Sequence, residues 1–377
     1  MNFGFDEDQK SLGDTVAKLL VDYPALTAPD LVRPHSDDVW RGLAELGLFA
    51  LMVPERFDGV GLSAVDVALA VEALGAGLAP PSVLSTLAVT DLLVRHGSEA
   101  QQRAYLPGIA SGSCKIAIAT LEADQGYDPI AVTTTIGADG LLSGTKILVA
   151  DAADAQAILV SARHGGKTVL VLVDRTTAGV TVRPHDDIDP TAGSCAISFE
   201  RVAVDEDAII GTASPERAVA RLLDTCATFT AGALIGISHR MLDAAVAYAR
   251  TRVQFGQAIG AFQAIKHRCA DMAVAVEAGR SVAYYAFWAV AEDAPDRARA
   301  ASMAKAYCGE VSRHVCGETI QVHGGMGFTW ELGLHRFLRR AKLLEHSFGD
   351  AAFHNERVLA ETLAGTQAAS DRQLDAA

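Results

Sequence analysis

The chain has 377 residues, of which 50% are hydrophobic and 21% are charged, so it can bury a large core spread over two or three domains. Its formal net charge of −14 argues against nucleic acid and anionic membranes as partners, because phosphate-rich surfaces are bound by basic patches. Apolar runs are broken before about 18 residues, and the N-terminus lacks a basic segment followed by an apolar one, so neither membrane insertion nor a signal peptide is expected.

Residues 1 to 112 are predicted to form an N-terminal helical domain. Val39–Phe49 carries apolar residues at helical spacing. Ala64–Leu78 continues this pattern, and Ser63 before it has the side chain of an N-cap. The prolines at 80 and 81 end this second helical run.

Residues 113 to 212 are predicted to form a middle antiparallel β domain. Short runs rich in β-branched residues alternate with turns rich in Gly and Asp. For example, Ala157–Ser161 and Thr168–Val173 flank His164-Gly165-Gly166, which is typical of a β-hairpin. The pattern has no long helices between these runs, so a Rossmann domain is disfavoured.

Residues 213 to 377 are predicted to form a C-terminal four-helix bundle. Ser214-Pro215-Glu216 combines an N-cap residue type, a proline in the first turn and an acid near the positive end of the helix dipole. The first helical run ends at about Gln254. Four further helices are predicted over 262–291, 296–323, 331–345 and 350–364. The polar tail after Gly365 is expected to fray.

Six cysteines are scattered through apolar segments without a Cys-x-x-Cys pair. This distribution is typical of reduced, buried thiols and predicts a cytoplasmic protein. No metal site is predicted.

Arg252, Phe255 and Gln263 surround a glycine turn between two of the predicted helices. The guanidinium stays charged and can form two hydrogen bonds with a diphosphate, and a planar ring would suit the aromatic beside it. Without a ligand, the same residues would serve as a solvated arginine, a core aromatic and a helix cap.

A second segment, Gln321–Phe328, contains glycines at 324, 325 and 327. Glycine lets a backbone approach a ligand closely and expose its N–H groups. Gly324 would also suit a helix C-cap, and both roles can hold together. The neighbouring His323 is expected to be structural.

These two segments resemble the Arg-x-x-Phe-Gly…Phe-Gln and Gln-x-x-Gly-Gly-x-Gly-Phe signatures of the acyl-CoA dehydrogenase family, in the same order and at about the same spacing. Tyr105–Gly112, Leu142–Lys146 and Phe199–Val204 also resemble family landmarks, so the resemblance covers nearly the whole chain. It implies an α+β multidomain fold made of a helical domain, a β domain and a four-helix bundle, with FAD held across a subunit interface. The cofactor-binding residues that it implies are Arg252, Phe255, Gln263, Gln321, Gly324, Gly325 and Thr120.

The activity that the resemblance implies needs a carboxylate base, which removes the α-proton of an acyl-CoA while a hydride leaves the β-carbon for the flavin. The seat that most members fill with Glu corresponds to Phe348, and the alternative seats correspond to Cys226 or Ala233. None of these residues can act as a carboxylate base. Three nearby carboxylates remain as candidates for the base, although each also suits a surface acid or a helix cap: Asp350, Glu345 and Asp224.

The expected flavin pocket of the β domain also departs from the family pattern. Thr120–Asp128 keeps only the threonine of Thr-Glu-Pro-x-Ala-Gly-Ser-Asp, and Leu148–Ala150 replaces Trp-Ile-Thr. A hydrogen-bond donor to the flavin and a shielding aromatic are therefore missing from this part of the sequence.

The leading hypothesis is a base-less subunit of an α2β2 acyl-CoA dehydrogenase. A homologous subunit would supply the catalytic Glu and most of the flavin pocket, and this chain would lend Arg252, Phe255, Gln263 and the 321–327 loop to the partner's FAD. Some bacterial members that desaturate steroid side-chain CoA thioesters look similar, which implies a steroid-type acyl-CoA and an electron-transfer flavoprotein-type acceptor. Two alternatives stay open: a self-sufficient homotetramer that uses Asp350, Glu345 or Asp224, and a binding protein without flavin.

Overall fold

A computed structural model describes residues 4–23 and 36–375 of the chain. Residues 1–3, 24–35 and 376–377 lie outside the described residues. Parts of the predicted N-terminal helical domain, of the segment considered for a signal peptide and of the predicted tail therefore lie outside them too. The described helices are α1 (Glu7–Val21), α2 (Ser36–Glu45), α3 (Ala68–Ala76), α4 (Pro81–His96), α5 (Glu99–Ala110), α6 (Pro215–Thr251), α7 (Gln263–Ala291), α8 (Arg297–His323), α9 (Leu334–His346) and α10 (Ala351–Asp375). The described strands are β1 (Ile116–Ala119), β2 (Thr135–Ile136), β3 (Leu141–Val149), β4 (Ala157–His164), β5 (Lys167–Asp174), β6 (Val180–Pro184), β7 (Cys195–Ala203), β8 (Ile209–Ile210), β9 (Val253–Gln254) and β10 (Gln257–Ala258).

The elements follow the predicted order of helices, strands and helices, but several helix ends differ from the prediction. Ser63 does not cap α3: its hydroxyl and its N–H donate to the Asp66 carboxylate at 2.7 and 2.9 Å, which forms a turn and delays the helix to Ala68. Ser214 occupies the N-cap position of α6, yet its side chain makes no capping hydrogen bond. The segment after Gly365 was expected to fray, but in the described residues α10 continues to Asp375.

The middle domain is one sheet in the order β6-β7-β3-β2-β4-β5-β8, with β1 beside β4. Most pairs are antiparallel as predicted, but β1–β4 and β2–β4 are parallel, so the sheet is mixed. The connection from β1 to β4 is long enough to bring the chain back to the same end of the sheet. The β4–β5 hairpin turns at Gly165 and Gly166, where φ is 56° and 82°, as a two-residue turn of this type requires.

The bundle is centred on α6. Within the described residues, α6 is the helix long and apolar enough to cross a membrane by length and composition, and 94% of its most apolar window is buried inside the protein. That burial is what a core helix of a bundle shows. Helix α3 crosses α6 at very short range: a Cβ added at Gly236 would lie 1.9 Å from the carbonyl oxygen of Glu72, and one added at Gly75 would lie 2.0 Å from that of Ala233.

The buried apolar side chains form two cores. The larger core joins the N-terminal helices to the bundle through residues such as Val71, Leu74, Phe229 and Phe287. The smaller core lies on the other face of the sheet. The sheet therefore stands beside the bundle, and a cleft opens where the two meet.

Candidate functional site

A cleft of about 390 Å³ lies between the sheet and the C-terminal end of α9; we call it the sheet–bundle cleft. The sheet side contributes Thr120, Leu121, Ile147, Leu148 and Ala150. The bundle side contributes the residues Lys342–Leu344 and His346–Phe348, and α4 and α6 form the floor. Most of these side chains are apolar, so the cleft suits an apolar ligand with few polar groups.

The sheet wall is shaped by a bulge in β3. The pairing of β3 with β7 shifts between Lys146 and Val149, and Leu148 adopts a φ of 52° within that shift. Bulges of this kind re-aim side chains near functional sites. Leu148 is consequently exposed at the cleft, at the position where the family pattern has a large aromatic.

Thr120, which was predicted to contact the cofactor, lines the same wall. Glu122, two residues later, was not singled out from the sequence, and it is buried against Lys146 at 2.7 Å. Although burial raises the pKa of Glu122, hydrogen bonds from Lys146, Thr133 and Thr134 lower it to about 2. Glu122 is therefore a fixed anion that holds the loop and a poor proton acceptor. Lys146 could have indicated Glu122 from the sequence, because a lysine within a strand that mixes apolar and polar residues needs a buried anion as its partner.

The three seats of the family base lie in different places. Phe348 lines the sheet–bundle cleft, and its backbone has a φ of 58°. Cys226 and Ala233 are buried in α6 and do not line this cleft. Burial also raises the pKa of the Cys226 thiol, so it stays protonated.

The carboxylates considered as replacement bases do not line the cleft either. Asp224 is 0% exposed and accepts hydrogen bonds from Arg297 at 2.7 Å and Arg357 at 2.6 Å. Glu345 pairs with Arg313 and Lys342, both at 3.1 Å. Asp350 caps α10 by accepting from the N–H of Phe353 at 2.9 Å. These contacts favour a structural role for all three.

Among the described residues that line the cleft, Asp187 carries the one carboxylate. It is half-buried in the loop between β6 and β7, and the Ser194 hydroxyl donates to it. No sequence pattern singled out Asp187, because two neighbouring aspartates in a polar loop usually form a solvated surface.

A second cleft, of about 600 Å³, lies where the α6–α7 turn meets the residues after α8; we call it the turn cleft. It brings together the two predicted segments, since Arg252 and Phe255 face Gly324, Gly325 and Met326 across it. Gln263 and Gln321 are exposed and adjoin this lining, but neither is part of it. Of the predicted cofactor residues, four therefore meet here, Thr120 lies in the other cleft, and the two glutamines lie beside the turn cleft.

The turn that carries Phe255 presents its ring to solvent. Strands β9 and β10 form a hairpin around Phe255 and Gly256, whose φ values are 51° and 79°. A bulky residue in this region of backbone conformation is strained. The Phe255 side chain is 92% exposed, and among the described residues its ring contact is edge-on to Phe262, with 6.1 Å between the ring centroids. An aromatic exposed in this way suits contact with another molecule.

Charge and space in the turn cleft suit a diphosphate beside a planar ring. No carboxylate of the described residues forms an ion pair with Arg252, which is exposed. A Cβ added at Gly324 or Gly325 would meet nothing within 4 Å, so their backbone faces open space. His323 instead stacks on Tyr248 at 4.2 Å, and its Nδ1 lies 2.8 Å from the Thr319 carbonyl, which favours the structural role expected of it.

The two clefts share no lining residue. Arg252 and Phe348 of one chain therefore lie in different clefts, and a ligand confined to one of these clefts contacts only one of the two residues. Phe328 and Trp330, which follow Met326 of the turn cleft along the chain, are 81% and 57% exposed. Exposed aromatic residues of this kind mark a surface that another molecule covers.

Comparison with known proteins gives matches along most of the chain. Profiles of the N-terminal, middle and C-terminal domains of acyl-CoA dehydrogenase match residues 6–113, 117–202 and 217–363. The acyl-CoA dehydrogenase IpdE2 of Mycobacterium tuberculosis is 33% identical over 341 residues, which cover 89% of this chain and 91% of the relative.

Two solved structures of two-component proteins are also similar. The Tcur3481–Tcur3483 steroid ACAD has a TM-score of 0.87 and 27% identity, covering 96% of this chain and 99% of its own. The ChsE4–ChsE5 complex from Mycobacterium tuberculosis has a TM-score of 0.87 and 26% identity, with the same coverage of both chains.

Proposed function

Because the chain belongs to the acyl-CoA dehydrogenase family, we propose that it is the base-less subunit of a hetero-oligomeric, FAD-dependent acyl-CoA dehydrogenase. The observation that carries this proposal is the division of the site. The turn cleft keeps the cation, the glycines and the exposed ring, whereas the sheet–bundle cleft is lined by Phe348, the residue at the position that the resemblance assigns to the base. A homologous subunit with a Glu in that seat would complete the catalytic site.

FAD is the cofactor of the family, and the turn cleft fits part of it. Arg252 would hold the diphosphate through charge-assisted hydrogen bonds, and the N–H groups near Gly324 and Gly325 would add neutral donors. Phe255 would pack on a ring of the cofactor and lose its exposure to water. When bound, FAD accepts the hydride that leaves the β-carbon of the acyl thioester.

In this proposal the sheet–bundle cleft of this chain provides an apolar surface that excludes water. Phe348 takes no part in proton transfer. Its apolar lining excludes water from an acyl chain, and Thr120 is the hydroxyl that the sheet wall offers to a ligand. The base that removes the α-proton would be a carboxylate in the partner subunit's own cleft, where dehydrogenation would take place. A steroid-type acyl-CoA is the proposed substrate class, supported by the steroid ACAD among the similar structures. The proposed electron acceptor is a flavoprotein, and the proposed location is the cytoplasm.

Flavin content tests this proposal. The chain is expressed alone and together with its homologous, base-bearing subunit, and flavin absorbance is measured per polypeptide. We expect little flavin in the lone chain, about one FAD per two chains in the pair, and bleaching of the pair by acyl-CoA. A lone chain that binds one FAD and bleaches with acyl-CoA would contradict the proposal. Protein that stays colourless in both preparations would favour a binding function on the same fold.

A self-sufficient enzyme is the second candidate, because Asp187 places a carboxylate in the lining of the sheet–bundle cleft. In that case Asp187→Asn would abolish bleaching by acyl-CoA while leaving the bound flavin in place. The neighbouring Asp186, which does not line the cleft, provides the matched control as Asp186→Asn.

A further inference from the structure

The loop that carries Phe348 has an unusual backbone. Phe348 and Gly349 both lie in the left-handed region, with φ values of 58° and 110°. This conformation is rare for a phenylalanine, and it persists only where surrounding contacts fix it. Because the Phe348 ring lines the sheet–bundle cleft, whatever fixes this loop also sets the shape of the cleft.

Lys305, on α8, holds the loop from the side of the bundle. Its ammonium group is 1% exposed and donates to the carbonyl oxygens of Glu345 at 2.8 Å and Gly349 at 2.6 Å. Burial lowers the pKa of Lys305 to about 7. A neutral amine still has two N–H groups, which match the two carbonyls, so both hydrogen bonds survive loss of the proton.

His354, on α10, holds the same loop from another helix. It is 0% exposed, and its Nε2 lies 3.0 Å from the Phe348 carbonyl oxygen. A carbonyl can only accept, so Nε2 carries the hydrogen. Burial lowers the pKa of His354 to about 3, which keeps the ring neutral, and Nδ1 has no hydrogen-bond partner among the described residues.

We propose that Phe348 is a specificity-determining residue of the sheet–bundle cleft, and that Lys305 and His354 are positioning residues that hold its ring in the wall. The ligand class, a ring-bearing acyl thioester, rests on the proposed function. Phe348 lines the cleft at the position that the resemblance assigns to the base, so its ring limits the size of the acyl group and cannot take an α-proton. Two buried donors from separate helices fix the carbonyls of Phe348 and Gly349 in the loop and that of Glu345 in the last turn of α9, whichever side chain position 348 carries.

Binding of two acyl thioesters that cannot be dehydrogenated tests this inference. Benzoyl-CoA and 2-naphthoyl-CoA lack an α-hydrogen and differ by one ring, so calorimetry measures affinity without turnover. The full chain is used, together with any subunit that co-purifies with it. Phe348→Ala should favour the naphthoyl ester over the benzoyl ester by about 10-fold relative to the wild type, since a pocket discriminates by roughly this much per small group.

The positioning role has its own variants. His354→Leu removes the donor to Phe348 and should shift the affinity ratio in the same direction, whereas His354→Gln keeps an N–H donor and should restore the wild-type ratio. Lys305→Met provides an independent change on α8 with the same expected shift. A purely structural role would alter thermal stability in these variants and leave the ratio unchanged.

Three outcomes would overturn the inference. An unchanged ratio in Phe348→Ala would remove the specificity role, and an unchanged ratio in folded His354→Leu and Lys305→Met would remove the positioning role. A wild-type protein that binds neither ester would overturn the inference altogether. Flavin content and bleaching are measured separately, so a failure here is distinguishable from a failure of the proposed function.

Discussion

Replacing Arg252 tests the proposed contact of this chain with the partner's FAD. Arg252 is exposed at the turn cleft, and no described carboxylate competes for its guanidinium, so Arg252→Ala should cost little stability. Losing a hydrogen bond to a charged group costs about 1.5–3 kcal/mol, which corresponds to FAD binding about 10- to 150-fold weaker. Arg252→Lys keeps the charge without the two-pronged geometry and should fall between the alanine variant and the wild type.

The measurement is FAD titration of the apo complex, followed by flavin fluorescence. Arg250, two residues earlier, is also exposed but does not line the turn cleft, which makes Arg250→Ala the matched control for net charge. Equal loss of affinity in Arg252→Ala and Arg250→Ala would refute the reasoning, because it would show a general effect of charge. Full FAD affinity in Arg252→Ala would remove Arg252 from the site.

Three further predictions concern the buried charges. Asp224→Asn should lower the free energy of unfolding, measured in urea, by about 3–5 kcal/mol, because Arg297 and Arg357 lose a buried counter-ion; normal stability with complete loss of turnover would instead favour Asp224 as a base. Glu122→Gln should destabilise by about 3 kcal/mol in the same assay, because Lys146 is left buried without its carboxylate, and unchanged stability would contradict the fixed-anion role. His354 has a pKa of about 3 in the folded chain against an ordinary 6.5, so the unfolded chain binds the extra proton between these values and stability falls as pH drops through that window. Thermal unfolding across pH should show this loss, and His354→Gln should make it smaller. The remaining loss would come from groups such as His96 and His335, whose pKa values burial also lowers.

Local sequence patterns identified the long helices well, because helical spacing over many residues leaves little ambiguity. The hairpin at Gly165 and Gly166 was equally clear, since two glycines between β-branched runs suit one kind of turn. The start of α3 was not predictable in the same way. Ser63 has the side chain of an N-cap, and only the structure shows that Asp66 competes for it.

Some residues of the candidate site were also predictable from the sequence, whereas others were not. The resemblance to the family signatures placed Arg252 and Phe255 in one site with Gly324 and Gly325. The four residues line one cleft, because each segment lies at the end of a long helix and the helices are adjacent. The choice among carboxylates needed three-dimensional contacts. Asp224 is an acid in sequence and the centre of an ion-pair cluster in the fold, while Asp187 enters the cleft through an irregular loop that no periodicity describes.

The close crossing of α3 and α6 limits how this protein can be divided. A glycine on each helix faces a carbonyl of the other, and the larger core runs through the crossing without a break. The profile of the N-terminal domain matches residues 6–113, whereas the contact between α3 and α6 joins that domain to the C-terminal bundle. An exchange of residues 6–113 between homologous subunits would carry Gly75 and leave Gly236 behind. We therefore expect the two helical regions to be exchangeable only together, whereas the face of the sheet that has its own core can change separately.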